Sequence, residues 1–207
     1  MVGVSRRLHL GAEAEILEEE FLGQEAIAKR RLPKTYRHPE LDARIRRERT
    51  RLEATLLSEA RHAGVAVPAV LDIDEAHATL RLQRVPGRTL RELMVADAKA
   101  APTWARRFGD ALGRLHAAGL VHGDPTTSNA HGVDEHVVLL DFGLGGRSHD
   151  VEDLGVDIHL VERTFEASHP ERPDLWHAFV EGYRGALPNA ERVLRRMDEI
   201  KSRARYA

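Results

Sequence analysis

Four polar side chains occur along the chain in an order that would suit the transfer of a phosphoryl group. Lys29 is a cation that could hold the phosphates of a nucleotide. Asp124 could face an attacking hydroxyl or water molecule, while Asn129, five positions later, turns back to a magnesium ion. Asp141, twelve positions after Asn129, could supply a second ligand to the metal. The sequence therefore predicts chemistry that depends on a nucleotide and a metal.

Each of these residues also has an ordinary interpretation when it is taken alone. A lysine at the end of a strand is often a solvated charge, and an aspartate before a glycine is common in hairpins. The segment around Asp124 fits a turn as well as a catalytic loop, because its Gly, Asp, Pro, Ser and Asn residues all favour turns. The fixed order of the four residues favours the catalytic interpretation, since unrelated turns rarely align in this way.

Short strands are expected to position Lys29. Gly11 and Gly23 separate three apolar stretches between residues 8 and 30, which predicts three short antiparallel strands with Lys29 at the end of the third. Two further strands are expected at residues 69–73 and 79–85.

A long helix is predicted between these two groups of strands. Pro39 should open it, and Gly64 should end it before Pro68. Charged residues separate its apolar positions, which is typical of a helix with one buried face. The apolar stripe is expected at Leu41, Ile45, Leu52 and Leu56.

The second half of the chain is predicted to be mainly helical. The dipeptide at 86–87 breaks the strand pattern, so we expect two parts, residues 1–85 and 86–207. A short buried strand at 137–140 would end directly before Asp141. The expected architecture is therefore α+β, with five strands and one helix followed by a mainly helical half. Helices are expected from Pro102 to Gly119, around 154–165, and at 174–187 and 189–201.

Composition excludes several classes of protein. At 42% hydrophobic and 31% charged residues the chain should fold around a real core. It contains no cysteine, which excludes disulfides, thiolate zinc sites and cysteine nucleophiles. With 31 basic and 33 acidic residues, its net charge of −2 gives no general attraction to nucleic acid. We expect no membrane span and no secretory signal, and hence a cytoplasmic protein.

The chain resembles the protein-kinase superfamily and, within it, the small atypical kinases of the KEOPS complex, the PRPK family. The resemblance extends over nearly the whole length. Two of its segments, 33–42 and 126–129, are particular to that family rather than to kinases in general. The residues that carry it are Gly11–Glu15, Lys29–Asp42, Arg49–Ala54, Leu115–His116, His122–Asn129, Asp141–Leu144, Glu152–Asp153 and Val156–Asp157.

The resemblance implies a bilobal kinase-like fold that uses ATP and Mg²⁺. It implies that Asp124 is the catalytic acid/base and that Asn129 and Asp141 hold the magnesium ion. Lys29 would bind the phosphates and pair with Glu53 on the long helix. Glu48 and Glu59 lie on the same helix, so the identity of the paired glutamate stays open at this point.

The remainder of the nucleotide site is implied in the same way. Gly11 stands for the reduced glycine-rich loop, which weakens the backbone cradle over the phosphates. The backbone of Gln83 and Val85, in the segment that joins the two lobes, would meet the adenine. No Ala-Pro-Glu segment follows Asp141, so a peptide-docking activation loop is not expected.

The family also implies partners. These are a threonylcarbamoyl-transferase subunit of KEOPS and a small regulatory subunit at the first lobe. Contact with tRNA would be indirect or through a basic C-terminal tail with Lys201, Arg203 and Arg205, which we expect to be mobile. No membrane partner is expected.

The function implied is that of a serine/threonine protein kinase, an ATPase, or both, in support of threonylcarbamoylation of adenosine 37 in tRNA. Two alternatives stay open. One is a small-molecule kinase of the aminoglycoside phosphotransferase type, and the other is a pseudokinase scaffold. The joint presence of Lys29, Asp124, Asn129 and Asp141 argues against the scaffold, which would not need polar groups converging on a cleft.

Overall fold

The computed structural model describes residues 5–204 and divides the chain into two compact units. The first unit comprises the residues up to Ser58 together with Pro68–Val85, and the second comprises Glu59–Val67 and the residues from Pro86 onward. Residues 59–67 thus belong to the second unit, whereas the sequence interpretation placed them in the first part.

The first unit is built on a five-stranded antiparallel sheet in the order β1-β2-β3-β5-β4. At the turn between β2 and β3, Leu22 and Gly23 have positive φ values of 51° and 78°, as a two-residue hairpin loop requires. The five predicted strands are therefore confirmed. Their bounds are β1 (Arg6–Leu10), β2 (Ala14–Phe21), β3 (Gln24–Arg31), β4 (Val70–Asp74) and β5 (Thr79–Gln83).

The predicted long helix is α1 (Pro39–His62), but its buried face differs from the predicted stripe. Leu41 and Leu52 are exposed, Ile45 is half-buried, and only Leu56 is fully buried. The inward face carries two buried carboxylates and a threonine among its apolar residues. Because apolar periodicity gives no weight to charged residues that are buried in pairs, the prediction set the stripe at the wrong phase. The buried face contains Asp42, Thr50, Glu53, Ala54, Leu56, Leu57 and Ala60.

Helices form most of the second unit, as predicted. The pair α3 and α5 packs with its backbones in contact: a Cβ at Gly109 would collide with the carbonyl oxygen of Phe179, and one at Gly182 with that of Arg106. The short α2 was not predicted, and a capping box between Thr89 and Glu92 begins it. The helices are α2 (Leu90–Ala96), α3 (Ala101–Ala117), α4 (Val151–Ser168), α5 (Pro173–Ala186) and α6 (Ala190–Ala204).

Short strands between the helices hold the loops that matter for function. The predicted strand at 137–140 is found as β9, paired with β8, whose Ala-His-Gly sequence gave no strand signal. The loop with Asp124 and Asn129 lies between β7 and β8, and Asp141 follows β9. The strands are β6 (Arg88–Thr89), β7 (Leu120–Val121), β8 (Ala130–Val133), β9 (His136–Leu139) and β10 (Gly146–Arg147).

The basic residues near the C-terminus do not form the mobile tail that the sequence predicted. Lys201 lies in α6, and its Nζ is 2.8 Å from Glu162 Oε1 on α4. Arg203 lies 3.5 Å from Glu152. The prediction of a mobile tail was wrong here because α6 continues through these positions and α4 offers acidic partners. Arg205 lies outside the described residues.

Within residues 5–204, no helix combines the length and apolarity that crossing a membrane would require.

Candidate functional site

A buried cluster of three charges forms the centre of the first unit. Lys29 Nζ on β3 lies 2.7 Å from Glu53 Oε1 on α1, and Arg31 Nη2 lies 2.7 Å from Glu53 Oε2. The side chains of Lys29 and Glu53 are only 9% and 1% exposed. Since charges removed from water are costly unless they are paired, Glu53 is held in place by both cations. The pairing of Lys29 with Glu53 was predicted, whereas the part of Arg31 was missed.

The other two glutamates of α1 have different partners. Glu48 is exposed and lies 3.9 Å from Arg44, one turn earlier. Glu59 pairs with Arg147 at 2.6 Å, and this arginine lowers the pKa of the Glu59 carboxyl chiefly through its hydrogen bonds. Glu53 is therefore the glutamate that contacts Lys29.

Backbone hydrogen bonds and two cationic side chains hold the loop between β1 and β2. The Gly11 amide donates to Ala14 O at 2.9 Å, and the backbone of Glu13 accepts from the Leu32 amide at 3.0 Å. The carboxylate of Glu13 lies 2.9 Å from Arg49 on α1. Lys34 adds a hydrogen bond to the carbonyl of Ala12. Sequence reasoning singled out Gly11 and missed this support.

Gln83 and Val85 lie at the end of the first unit. The Gln83 amide donates to Ala69 O at 2.8 Å, which commits that donor to the sheet edge. The assignment of their backbone to adenine binding stays a prediction.

In the second unit, Asn129 folds back onto Asp124. Its Nδ2 lies 3.0 Å from Asp124 O and 2.8 Å from Asp124 Oδ2. Two backbone bonds shape the loop: the Thr126 amide donates to Asp124 O at 2.8 Å, and the Asn129 amide donates to Thr126 O at 3.0 Å. The turn-forming residues therefore produce the contact that a catalytic loop requires, so the two interpretations of this segment are compatible.

A buried carboxylate in α4 anchors this loop. Asp157 Oδ2 accepts from the His122 amide at 2.7 Å, and its Oδ1 accepts from the Gly123 amide at 2.9 Å. His116 Nε2 lies 3.2 Å from Asp157 Oδ2, and its Nδ1 lies 2.7 Å from the hydroxyl of Tyr183. Burial raises the pKa of Tyr183 well above its usual range, so its hydroxyl stays protonated. An aspartate on the apolar face of a predicted helix is the signal that could have revealed this role.

The segment that carries Asp141 runs directly beside the same loop. Gly123 has a φ of 81°, and a Cβ there would collide with the carbonyl oxygen of Leu144. The ring centroids of His122 and Phe142 are 4.7 Å apart. Burial lowers the pKa of His122, which therefore stays neutral and can accept the Asp124 amide at Nδ1, 3.3 Å away.

The backbone of Asp141 itself is unusual. Its φ is 60°, in a region that residues other than glycine rarely occupy, and its Oδ1 accepts from the Gly143 amide at 3.0 Å. Strained residues of this kind concentrate at functional sites, where the surrounding structure holds them. The local fold thus fixes where this carboxylate points.

The donor groups of the second unit suit a hard divalent cation. The carboxylate oxygens of Asp141 and the amide oxygen of Asn129 are the ligand types that Mg²⁺ prefers. Throughout residues 5–204 no three His, Asp or Glu side chains form a metal cage of their own. A magnesium ion here would therefore need further ligands from water or a phosphate, as is usual for nucleotide-bound magnesium.

Comparison with known proteins gave clear relatives, although no protein-family model matches the chain. A probable bifunctional tRNA threonylcarbamoyladenosine biosynthesis protein from Methanosarcina acetivorans is 45% identical over 202 residues, covering 97% of this chain and 36% of that protein. Its counterpart in Methanosarcina mazei is 44% identical over 198 residues, covering 95% and 35%. The chain thus spans about a third of the length of these bifunctional relatives.

A relative of similar size comes from the mouse. The EKC/KEOPS complex subunit Tp53rkb is 37% identical over 206 residues, covering 94% of this chain and 84% of that subunit.

A solved structure shares the fold. An amicoumacin kinase, determined in complex with AMP-PNP, Ca²⁺ and Ami, aligns with a TM-score of 0.64 over 88% of this chain and 72% of that one. The identity is 16%, so this likeness concerns the kinase-like architecture alone. The match over most of the mouse subunit shows that the chain belongs to the family of the KEOPS subunit Tp53rkb, the PRPK family.

Proposed function

We propose that the chain binds ATP with Mg²⁺ and transfers its γ-phosphoryl group to water or to a serine or threonine hydroxyl. It does so as the subunit that supports threonylcarbamoylation of adenosine 37 in tRNA. The observation that carries the chemical part is the contact of Asn129 with Asp124, on a loop that buried Asp157 anchors beside the segment of Asp141. The family relationship supports the biological part.

Each group in the proposed site has a distinct task. Asp124 accepts the proton of the attacking hydroxyl or water, and Asn129 orients that carboxylate through its amide nitrogen. Asn129 and Asp141 would hold magnesium, which when bound neutralises charge on the phosphates. Lys29, oriented by Glu53, binds phosphate oxygens, and the loop at Gly11 covers them.

The short segment after Asp141 supports the proposal that the phosphoryl group passes to water or to a small number of proteins. Residues Gly146–Arg147 pair with β7, and the Ser148 amide donates to Gly119 O at 2.9 Å. The chain is thus fixed to the unit within seven residues of Asp141 and enters α4 at Val151. A segment tied down in this way presents no long surface on which a substrate peptide could dock.

The proposed setting follows from the family. The chain would act with a threonylcarbamoyl-transferase subunit and a small regulatory subunit at the first unit, in the cytoplasm. Near the C-terminus, Lys201 and Arg203 form ion pairs with acidic residues of α4 and α6. Contact of these two residues with tRNA stays a proposal, made from a helix rather than from a mobile tail.

Binding and turnover of ATP by the purified chain test the chemical part. We expect ATP binding by titration calorimetry that is much tighter with Mg²⁺ than with EDTA, and slow release of phosphate, because the metal ligands are present while the loop over the phosphates has a single glycine. Failure to bind ATP in the presence of Mg²⁺ would favour the scaffold alternative and remove the proposal.

A further inference from the structure

The region from Lys29 to Arg51 concentrates positive charge in a chain that is slightly acidic as a whole. It contains ten Lys and Arg residues but only three Asp and Glu, a net charge of +7 against −2 for the entire chain. Two of the ten, Lys29 and Arg31, form the buried ion pairs with Glu53. The role of the others is not explained by phosphoryl transfer.

Four of these cations converge around a small pocket of the first unit. Lys34, Arg37, Arg46 and Arg49 line it and are half-buried, with Arg31 at its base. Glu13 is the one acidic residue that lines this pocket, and Leu32 and Ile45 complete its wall. Carboxylates offset only part of the positive charge of these side chains, and the excess of cations favours a further anion.

A buried carboxylate holds two of the guanidinium groups in place. Asp42 Oδ2 lies 2.7 Å from Arg46 Nε, and Asp42 Oδ1 lies 3.5 Å from Arg37 Nη1. The hydrogen bond from Arg46 is the main reason why the pKa of Asp42 is lowered, so this carboxylate stays charged. A guanidinium has five N–H donors, and an arginine fixed by one carboxylate can still donate to an oxyanion. The pocket is therefore prearranged.

An exposed aromatic ring lies against one of the arginines that line this pocket. Tyr36 is 75% exposed, and the guanidinium of Arg37 lies 5.2 Å from the centre of its ring. Because most of its ring contacts water, Tyr36 contributes little to the buried core of the protein. Beside this cluster of cations, it offers a surface on which a nucleobase can stack.

We propose that the pocket lined by these cations, together with Tyr36, forms a binding site for single-stranded RNA. A backbone phosphate would lie among the cations, and the adjacent base would stack on the tyrosine ring. An acidic protein segment would use the cations but would bring no nucleobase to stack on the exposed ring of Tyr36. The inference rests on the proposed function and deepens it, since it assigns an RNA contact to the first unit.

The same pocket is linked to the loop expected over the nucleotide. Arg49 binds Glu13 of that loop at 2.9 Å, and Lys34 binds the Ala12 carbonyl. A phosphate that recruits Arg49 competes with Glu13, so RNA and ATP should alter each other's affinity by the same factor.

Binding of a fluorescently labelled 12-nucleotide RNA to the full chain, without nucleotide, tests the proposal. We expect the double variant Lys34→Gln with Arg37→Gln to weaken binding and to reduce the slope of log affinity against log salt by roughly 0.7, the contribution of one phosphate contact to a single strand. The matched control removes two exposed cations of the second unit, by Arg106→Gln with Arg184→Gln, and should leave the slope unchanged.

Variants at Tyr36 distinguish the binding of RNA from the binding of other anions. Tyr36→Ala should lower RNA affinity about tenfold through the loss of one stacked base, whereas Tyr36→Phe should retain it. Equal losses in the two double variants would show diffuse electrostatic attraction and overturn the proposal. It would also be overturned if an acidic peptide of the same charge displaced the RNA as well as unlabelled RNA does, or if Tyr36→Ala had no effect. Because no ATP is present, these outcomes are independent of whether the chain turns ATP over.

Discussion

Replacing Asp141 by alanine is expected to lower ATP turnover by about 10² to 10⁴, the usual loss when one positioned charge is removed from a catalytic site. The residue follows β9, and its segment runs against the loop of Asp124, where the contact at Gly123 leaves no space for a side chain. The carboxylate is therefore held where it can ligate a metal. Turnover is measured as phosphate released from ATP at saturating Mg²⁺.

A control on the same turn separates metal binding from local folding. Asp141 also accepts the Gly143 amide, so Asp141→Asn keeps the volume and an acceptor oxygen but removes the charge. It should lose turnover nearly as much as alanine, with a thermal unfolding midpoint closer to that of the wild type. Turnover at the wild-type rate in Asp141→Ala would contradict the assignment of this residue.

The second large effect is expected at the buried pair of Lys29 and Glu53. Removing Glu53 leaves Lys29 and Arg31 buried without their shared partner, so Glu53→Ala should destabilise the chain by about 3–5 kcal/mol. Lys29→Ala should cost less, because Arg31 still neutralises Glu53. Urea unfolding measures the free energy of unfolding of each variant. If Glu53→Ala does not fold, Glu53→Gln, which keeps the volume of the side chain, replaces it in the comparison.

A double-mutant cycle shows whether the two residues act together. Lys29→Ala and Glu53→Gln should each reduce ATP turnover, and the double variant should be little worse than the poorer single one. Glu48→Ala is the matched control, since Glu48 is exposed and pairs only with Arg44 among the contacts described for it; it should change stability by less than about 0.5 kcal/mol. Additive losses, or coupling of Lys29 to Glu48 instead, would contradict the site geometry.

Sequence patterns predicted the five strands of the first unit, β9 and most helices because their signals are local. Glycines at 11 and 23 marked hairpin turns, and apolar spacing marked α3 and α4. The buried face of α1 was predicted wrongly because charged groups are buried there. The inward face of α1 includes Glu53 and Asp42, which satisfy cations from distant segments, and no periodicity of apolar residues can show that.

The candidate site was predictable to the extent that it depends on short spacings. The contact of Asp124 with Asn129 follows from a five-residue separation, and the glutamate that meets Lys29 became clear only from the fold. The anchoring of the loop by Asp157, and of Asp157 by His116 and Tyr183, joins residues up to 67 positions apart. Such contacts depend on helix packing rather than on local sequence.

The content of threonylcarbamoyladenosine in tRNA tests the central claim most directly. In the organism that carries this chain, its depletion should reduce the modified nucleoside, as measured by mass spectrometry of digested tRNA. Expression of the wild-type chain should restore it, whereas Asp141→Ala, produced at the same level, should not. Full restoration by Asp141→Ala, or an unchanged content of the modified nucleoside after depletion, would contradict the proposal that phosphoryl transfer by this chain supports the modification.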